Sequence, residues 1–442
     1  MKALLILISA WLISQMFFID KNSVDVGFRP DRVLFFIIMT LFLISVMRKD
    51  IRISGLGGEE ICMVVFTFLC SVSLIQSGAN ADASEGQNKW LNALFNITYF
   101  PFLTYFIIKR IEYRKERAKV LLVALSSVGA YLGFTGICEH FRIDALVWPK
   151  YILDSSIKTH QDDRVTGPFL ESVAMGRVLT VTLLCMLIMA TEYNGIRRTI
   201  LYVFAILAAG SIYFTYTRGP WIGFGVALLV ILTLRTKMRR PGVLLLVAIL
   251  IVGISGAGSK FSFFDEGTLF SRRQNTVDDR LASYATALKM GAENPLFGVG
   301  FGRFGAEWEN YFTPIPGVLA NPETMSHNTF LGILAESGLA TLVFFLAILY
   351  QLLKMCFATY GKLDSAKTFE RSLTAIALGL GLMYIATGFV SDLRWNLLQN
   401  NLVFLMFGVV ASLAGRTRPT RSKIAHLRSP QMSFQSQGQA DR

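Results

Sequence analysis

Charge is scarce in this sequence. Asp, Glu, Lys and Arg supply 17% of its 442 residues against 53% hydrophobic ones. The apolar residues come in long runs, and this excludes an ordinary soluble domain. Cysteine occurs five times, as Cys62, Cys70, Cys138, Cys185 and Cys356, without a CxxC pair. That spacing excludes a disulfide scaffold and a thiolate zinc site. All but Cys138 fall in or at the end of apolar runs, where a thiol packs as a small hydrophobe. Cys138-Glu139-His140 has no second ligand pair to complete a metal site. HExxH, GxSxG and Walker patterns are missing. Gly300-Phe301-Gly302-Arg303-Phe304-Gly305 does match GxGxxG, but no βαβ strand leads into it, so it reads as a flexible glycine turn. Acidic residues are outnumbered 30 to 43, for a net charge of +13. Basic loops on one membrane side explain that excess better than nucleic acid does.

What is present is a series of about twelve apolar spans, near residues 3–19, 33–47, 61–76, 91–108, 120–138, 172–191, 199–217, 220–235, 242–257, 327–355, 372–391 and 396–414. They predict an all-α polytopic membrane protein. The first span is not read as a cleaved signal, because Asp20-Lys21-Asn22 follow it in place of a small-residue cleavage site. With the N-terminus cytoplasmic, the short connectors carry 26 Lys and Arg on the inner side against 7 on the outer. Both termini are then inside. The organisation is a membrane domain over 1–415 and a basic polar tail over 416–442, expected to be disordered and to rest on anionic lipid.

Two external loops are too long to be simple connectors, 139–171 and 258–326. The second lies between helices 9 and 10 and carries Phe, Tyr, Trp, Gly and Pro throughout. Thr276-Val277-Asp278-Asp279 reads as the capping box of an amphipathic helix that ends at Asn294-Pro295. Arg280 then falls in its first turn, where a positive charge opposes the helix dipole and calls for an anionic partner.

The chemistry-bearing residues converge on this external face. His327, one of four histidines, stands at the mouth of the tenth span behind a Ser326 cap, with Asn328 beside it. A histidine there can exchange protons near neutral pH. Glu336 lies inside the span, and an intramembrane carboxylate is costly enough to be a functional-site candidate. Nine residues separate it from His327, roughly 13 Å along a helix. It is therefore out of reach for proton sharing and is expected to pair with a polar group of another helix. Arg218, in Tyr216-Thr217-Arg218-Gly219-Pro220-Trp221, stands at the external ends of helices 7 and 8; Arg164 precedes Gly167-Pro168-Phe169. Read singly, each has an ordinary alternative: a snorkelling anchor for Arg218, a solvated face for Arg280, an interfacial polar group for His327. Their shared sidedness carries the functional reading.

The Arg218-Gly219-Pro220-Trp221 segment, Arg280 with its apolar helix, Asn294 to Gly302, then His327-Asn328-Thr329-Phe330-Leu331 and Glu336-Ser337-Gly338 follow the order seen in the O-antigen ligase superfamily. The sequence resembles that family over about residues 160–345. The family's members are lipid-linked glycan ligases, O-antigen and exopolysaccharide polymerases and protein O-oligosaccharyltransferases. One element departs: Leu170-Glu171-Ser172-Val173 stand where many members have a His/Asn-Pro-Asn element.

The resemblance implies a GT-C-like fold in the inner membrane with its site on the periplasmic face. It implies transfer of a glycan from undecaprenyl pyrophosphate to a hydroxyl of a glycan, lipid A core or protein, with inversion. No metal or other cofactor and no nucleic acid are expected. Arg218 and Arg280, with Arg164, are implied to bind the pyrophosphate, and His327 to be the catalytic base. An O-antigen or exopolysaccharide polymerase would use the same chemistry. A secondary transporter is the rival from another class; the position of the long loop and the lack of an internal repeat argue against it.

Overall fold

The computed structural model describes residues 2–17, 30–53, 55–78, 91, 94–154, 164–234, 269–316, 323 and 325–417, without the side chains of 2, 77, 78, 269–277 and 417. The expected span at 242–257 and nearly all of the tail lie outside these residues. Among them there is no strand, and the architecture is an all-α polytopic membrane protein.

The helices are α1 (Lys2–Ser14), α2 (Pro30–Met47), α3 (Gly58–Gly78), α4 (Phe100–Arg110), α5 (Lys115–His140), α6 (Ser172–Glu192), α7 (Ile196–Phe214), α8 (Arg218–Leu234), α9 (Leu269–Glu293), α10 (Thr329–Lys362), α11 (Thr368–Gly388) and α12 (Leu397–Thr417). Eight of them are long and apolar enough to cross a bilayer, and α1 and α8 are shorter apolar helices. The span expected at 91–108 is built as a π-helical turn, Phe95–Tyr99, running into α4.

Burial separates two kinds of apolar helix. Helices α6 and α12 are buried around nearly their whole circumference and form the centre. Helices α2, α3 and α7 turn large apolar side chains outward, such as Phe36, Ile75 and Ile206. On a membrane protein these are lipid-facing surfaces, so exposure there carries no penalty. Small residues bring the helices close. A Cβ at Gly133 of α5 would lie 2.7 Å from the Ala208 backbone nitrogen of α7, and one at Gly129 would meet Thr182 of α6. Gly129 and Gly133 are thus the two small residues of a GxxxG contact.

At the expected cytoplasmic end, Glu59 and Glu60 of α3 pair with Lys109 and Arg110 of α4, with Lys109 Nζ 3.0 Å from Glu60. The opposite end holds the starts of α6, α8 and α10, the end of α11 and the long-loop helix α9. That end carries the candidate site.

Candidate functional site

The glycine-rich loop after α9 is a cradle for a carboxylate. The Glu336 side chain accepts from the amides of Gly302 at 2.8 Å and Phe304 at 3.3 Å, and from Arg394 Nη1. The same loop pairs by backbone with α10, from Val299 N to Ala335 O and from Gly300 N to Glu336 O. This requires α10 to break: Gly338 has φ 83° and ψ 175°, in the left-handed half of the map, and the freed Leu339 amide donates to Pro295 O. Ser73 of α3 donates to Phe297 O and Glu336 O and ties the loop to the membrane domain. GxGxxG here is a structural dock.

Arg394, in the 3-10 turn between α11 and α12, is the partner expected for Glu336 but not named by sequence. It is 1% exposed and also forks onto Asp392, with Nε 2.9 Å from Oδ1. Burial by itself would ease its proton off. The Asp392 and Glu336 carboxylates outweigh that and hold the guanidinium charged, above its ordinary range.

The dock leaves no room at Gly298. Its φ is +67°, and a Cβ there would lie 2.3 Å from the carbonyl carbon of Glu336. Gly298→Ala is expected to destabilise the protein by about 1–3 kcal/mol from backbone strain alone. The measurement is the Tm of purified protein in detergent, and an unchanged Tm would show that the dock is not tight.

His327 lies just before α10. Its φ is +51°, a left-handed conformation uncommon outside glycine. The cap differs from expectation. Asn328, not Ser326, is the N-cap, and its Oδ1 accepts from Phe330 N at 2.9 Å and Leu331 N at 3.0 Å. The Ser326 hydroxyl instead donates to Asn328 O at 2.7 Å and accepts from Asn328 N, bracing the turn that carries the histidine. The ring is partly exposed, and its Nε2 lies 3.1 Å from Glu323 Oε2. Glu323 is a ring partner that the sequence reading missed.

The arginines are held at the same end. Helix α9 begins at Leu269, so the expected capping box at 276–279 lies inside it and Arg280 sits in mid-helix rather than in the first turn. The dipole argument for Arg280 therefore falls away. One turn on, Tyr284 donates to Phe389 O at 3.0 Å, the same carbonyl that Asn328 Nδ2 reaches at 3.2 Å. One carbonyl at the end of α11 thus joins the turn after Arg280 to the residue after His327. Burial pushes the Tyr284 phenol up, so it remains a donor at neutral pH.

Arg218 is exposed at the first residue of α8, and Pro220 packs where a Cβ on Gly176 of α6 would stand. Arg164 is half-buried on a segment pinned from both sides. Glu139 accepts from Thr166 Oγ1 at 2.9 Å and Gly167 N at 2.9 Å, and Val165 N donates to Phe214 O. Glu139 is thus a loop anchor, and His140 stacks on Phe214 at 3.7 Å.

Sequence reasoning also missed Arg177, in the first turns of α6 and 1% exposed. The available signal was a lone cation inside an apolar run. Among the described residues, no group of three or more His, Cys, Asp or Glu is placed to hold a metal.

No curated protein matches this chain. Residues 203–346 match the family described as O-antigen ligase. That stretch runs from α7 to the middle of α10 and contains Arg218, Arg280, the glycine-rich dock, His327 and Glu336. Through this region the chain is similar to the O-antigen ligase family.

Proposed function

We propose that this protein is a glycosyltransferase of surface polysaccharide assembly, working at the external face of the inner membrane. It moves a glycan from undecaprenyl pyrophosphate to an acceptor hydroxyl. The observation that carries the reading is that the O-antigen ligase match encloses two arginines and a histidine at one end of the bundle. Cationic forks and one base are what this reaction needs.

The acceptor oxygen attacks the anomeric carbon. The new C–O bond forms as the bond to the pyrophosphate oxygen breaks, and the bond pair leaves with the pyrophosphate. The acceptor proton passes to His327. An Nε2–H tautomer donates to Glu323 and leaves Nδ1 with the free lone pair. The leaving group is already good, so it needs its charge held rather than a proton supplied. Arg218 and Arg280, with Arg164, provide that charge, and guanidinium forks match phosphate oxygens in pairs. Attack from the face opposite the pyrophosphate inverts the anomeric centre.

The test is reconstituted protein with a lipid-pyrophosphate-linked oligosaccharide and candidate acceptors, read as loss of donor and gain of product. A product lengthened on the lipid carrier identifies a polymerase; a product on lipid A core or protein identifies a ligase. Arg218→Lys and Arg280→Lys keep the charge but lose the fork, and each is expected to lower kcat/KM about 10- to 100-fold. Wild-type rates in both variants would make them membrane-surface anchors only.

A further inference from the structure

We infer that Arg177 and Tyr384 form an inner phosphate subsite, which meets the outer, arginine-lined site at Arg280. The inference rests on the donor assigned above and deepens it by naming residues outside the family match at 203–346. Arg177 Nε, Nη1 and Nη2 are all buried, and none has a hydrogen-bond partner among the described residues. The Tyr384 hydroxyl of α11 is in the same condition, and so is Arg280 Nε.

Helix α6 packs against α11, and Tyr284 of α9, one turn after Arg280, donates to Phe389 at the end of α11, so the three side chains stand on elements that meet. The carboxylates that act on Arg177 are those of Glu171 and Asp392. The nearby carboxylates balance charge at a distance but do not satisfy the donors, because Asp392 spends its oxygens on Arg394. Leaving a buried donor unmade is expensive, and more so for a charged one. Five unpartnered polar atoms on three side chains, from α6, α9 and α11, four of them guanidinium nitrogens that can only donate, fit one multi-oxygen anion. A phosphate offers several oxygens and matches a guanidinium in pairs. Arg280 is only half-buried, so the group reaches from the interior to the external face.

The experiment is thermal unfolding of the full chain in detergent, titrated separately with inorganic pyrophosphate and with a polyprenyl pyrophosphate. Arg177→Met removes the charge at similar volume. Without ligand its Tm should equal or exceed that of wild type, because an unmet buried charge has gone. Its apparent Kd for the pyrophosphate should weaken about 10- to 100-fold, the range for losing charge-assisted hydrogen bonds. Tyr384→Phe should fold normally and weaken binding by a smaller factor.

A lower Tm or failure to fold in Arg177→Met, or ligand-induced shifts equal to wild type in both variants, overturns the subsite. In the case of equal shifts the donor assignment survives, since wild type still binds. If neither pyrophosphate shifts wild type, the donor assignment fails along with the subsite. A shift by the lipid form alone assigns the group to a lipid head; equal shifts by both assign it to the phosphates themselves.

Discussion

His327→Ala is expected to cut glycan transfer by about 10²–10⁴-fold, the usual contribution of a positioned base, while the protein still inserts and binds donor. Its backbone allows a sharper version. Because φ is +51° at this position, glycine is the residue that fits the turn without strain. His327→Gly should be as stable as wild type or more so, yet equally inactive, and added imidazole should restore part of the rate. His327→Gln can hydrogen-bond an acceptor but cannot take its proton, so it should also fail. Glu323→Gln, which keeps a hydrogen bond to the ring but removes the charge, should lose less than the histidine variants. The measurement is single-turnover transfer by reconstituted protein. Near-normal transfer by the histidine variants would remove the base and the main argument for an enzyme.

The second large effect concerns stability. Glu336→Ala leaves Arg394 without its second carboxylate and exposes the Gly302 and Phe304 amides to a dry interior. Breaking a buried ion pair from one side costs about 3–5 kcal/mol, and the yield and Tm of purified protein should fall accordingly. Glu336→Gln keeps the shape and one acceptor and should fall less. Combining Glu336→Gln with Arg394→Met should be milder than the sum of the single changes, because the two groups form one unit. Turnover per folded molecule should drop far less than in the His327 variants. Full stability with abolished turnover would make Glu336 a proton carrier instead.

Much of this architecture was legible because lipid-crossing helices need long apolar runs and nothing else disguises them. The same logic placed His327 at a helix mouth and gave Glu336 an unnamed structural partner. That partner was hidden for a physical reason. Arg394 lies 58 residues away in a polar turn, and only the packing of α10 against the segment between α11 and α12 brings the two together. Glu323 escaped notice because its contact depends on a left-handed turn at His327, which residue type alone does not announce. The start of α9 was misjudged because Thr276 to Asp279 has the composition of a cap, yet the backbone is already helical from Leu269. Arg177 went unnamed in the sequence. Its isolation from every acceptor among the described residues is a property of the packed bundle.

The break at Gly338 means that α10 is not one rod. The stretch from Thr329 to Ser337 is bolted to the glycine-rich loop and to Arg394, while Leu339 to Lys362 runs down among the other spans. When a membrane thickens or thins by a few ångströms, a span responds by tilting. The break at Gly338 is where such a tilt is expected to be absorbed. Transfer by protein reconstituted in vesicles of different acyl-chain length is then expected to keep one rate.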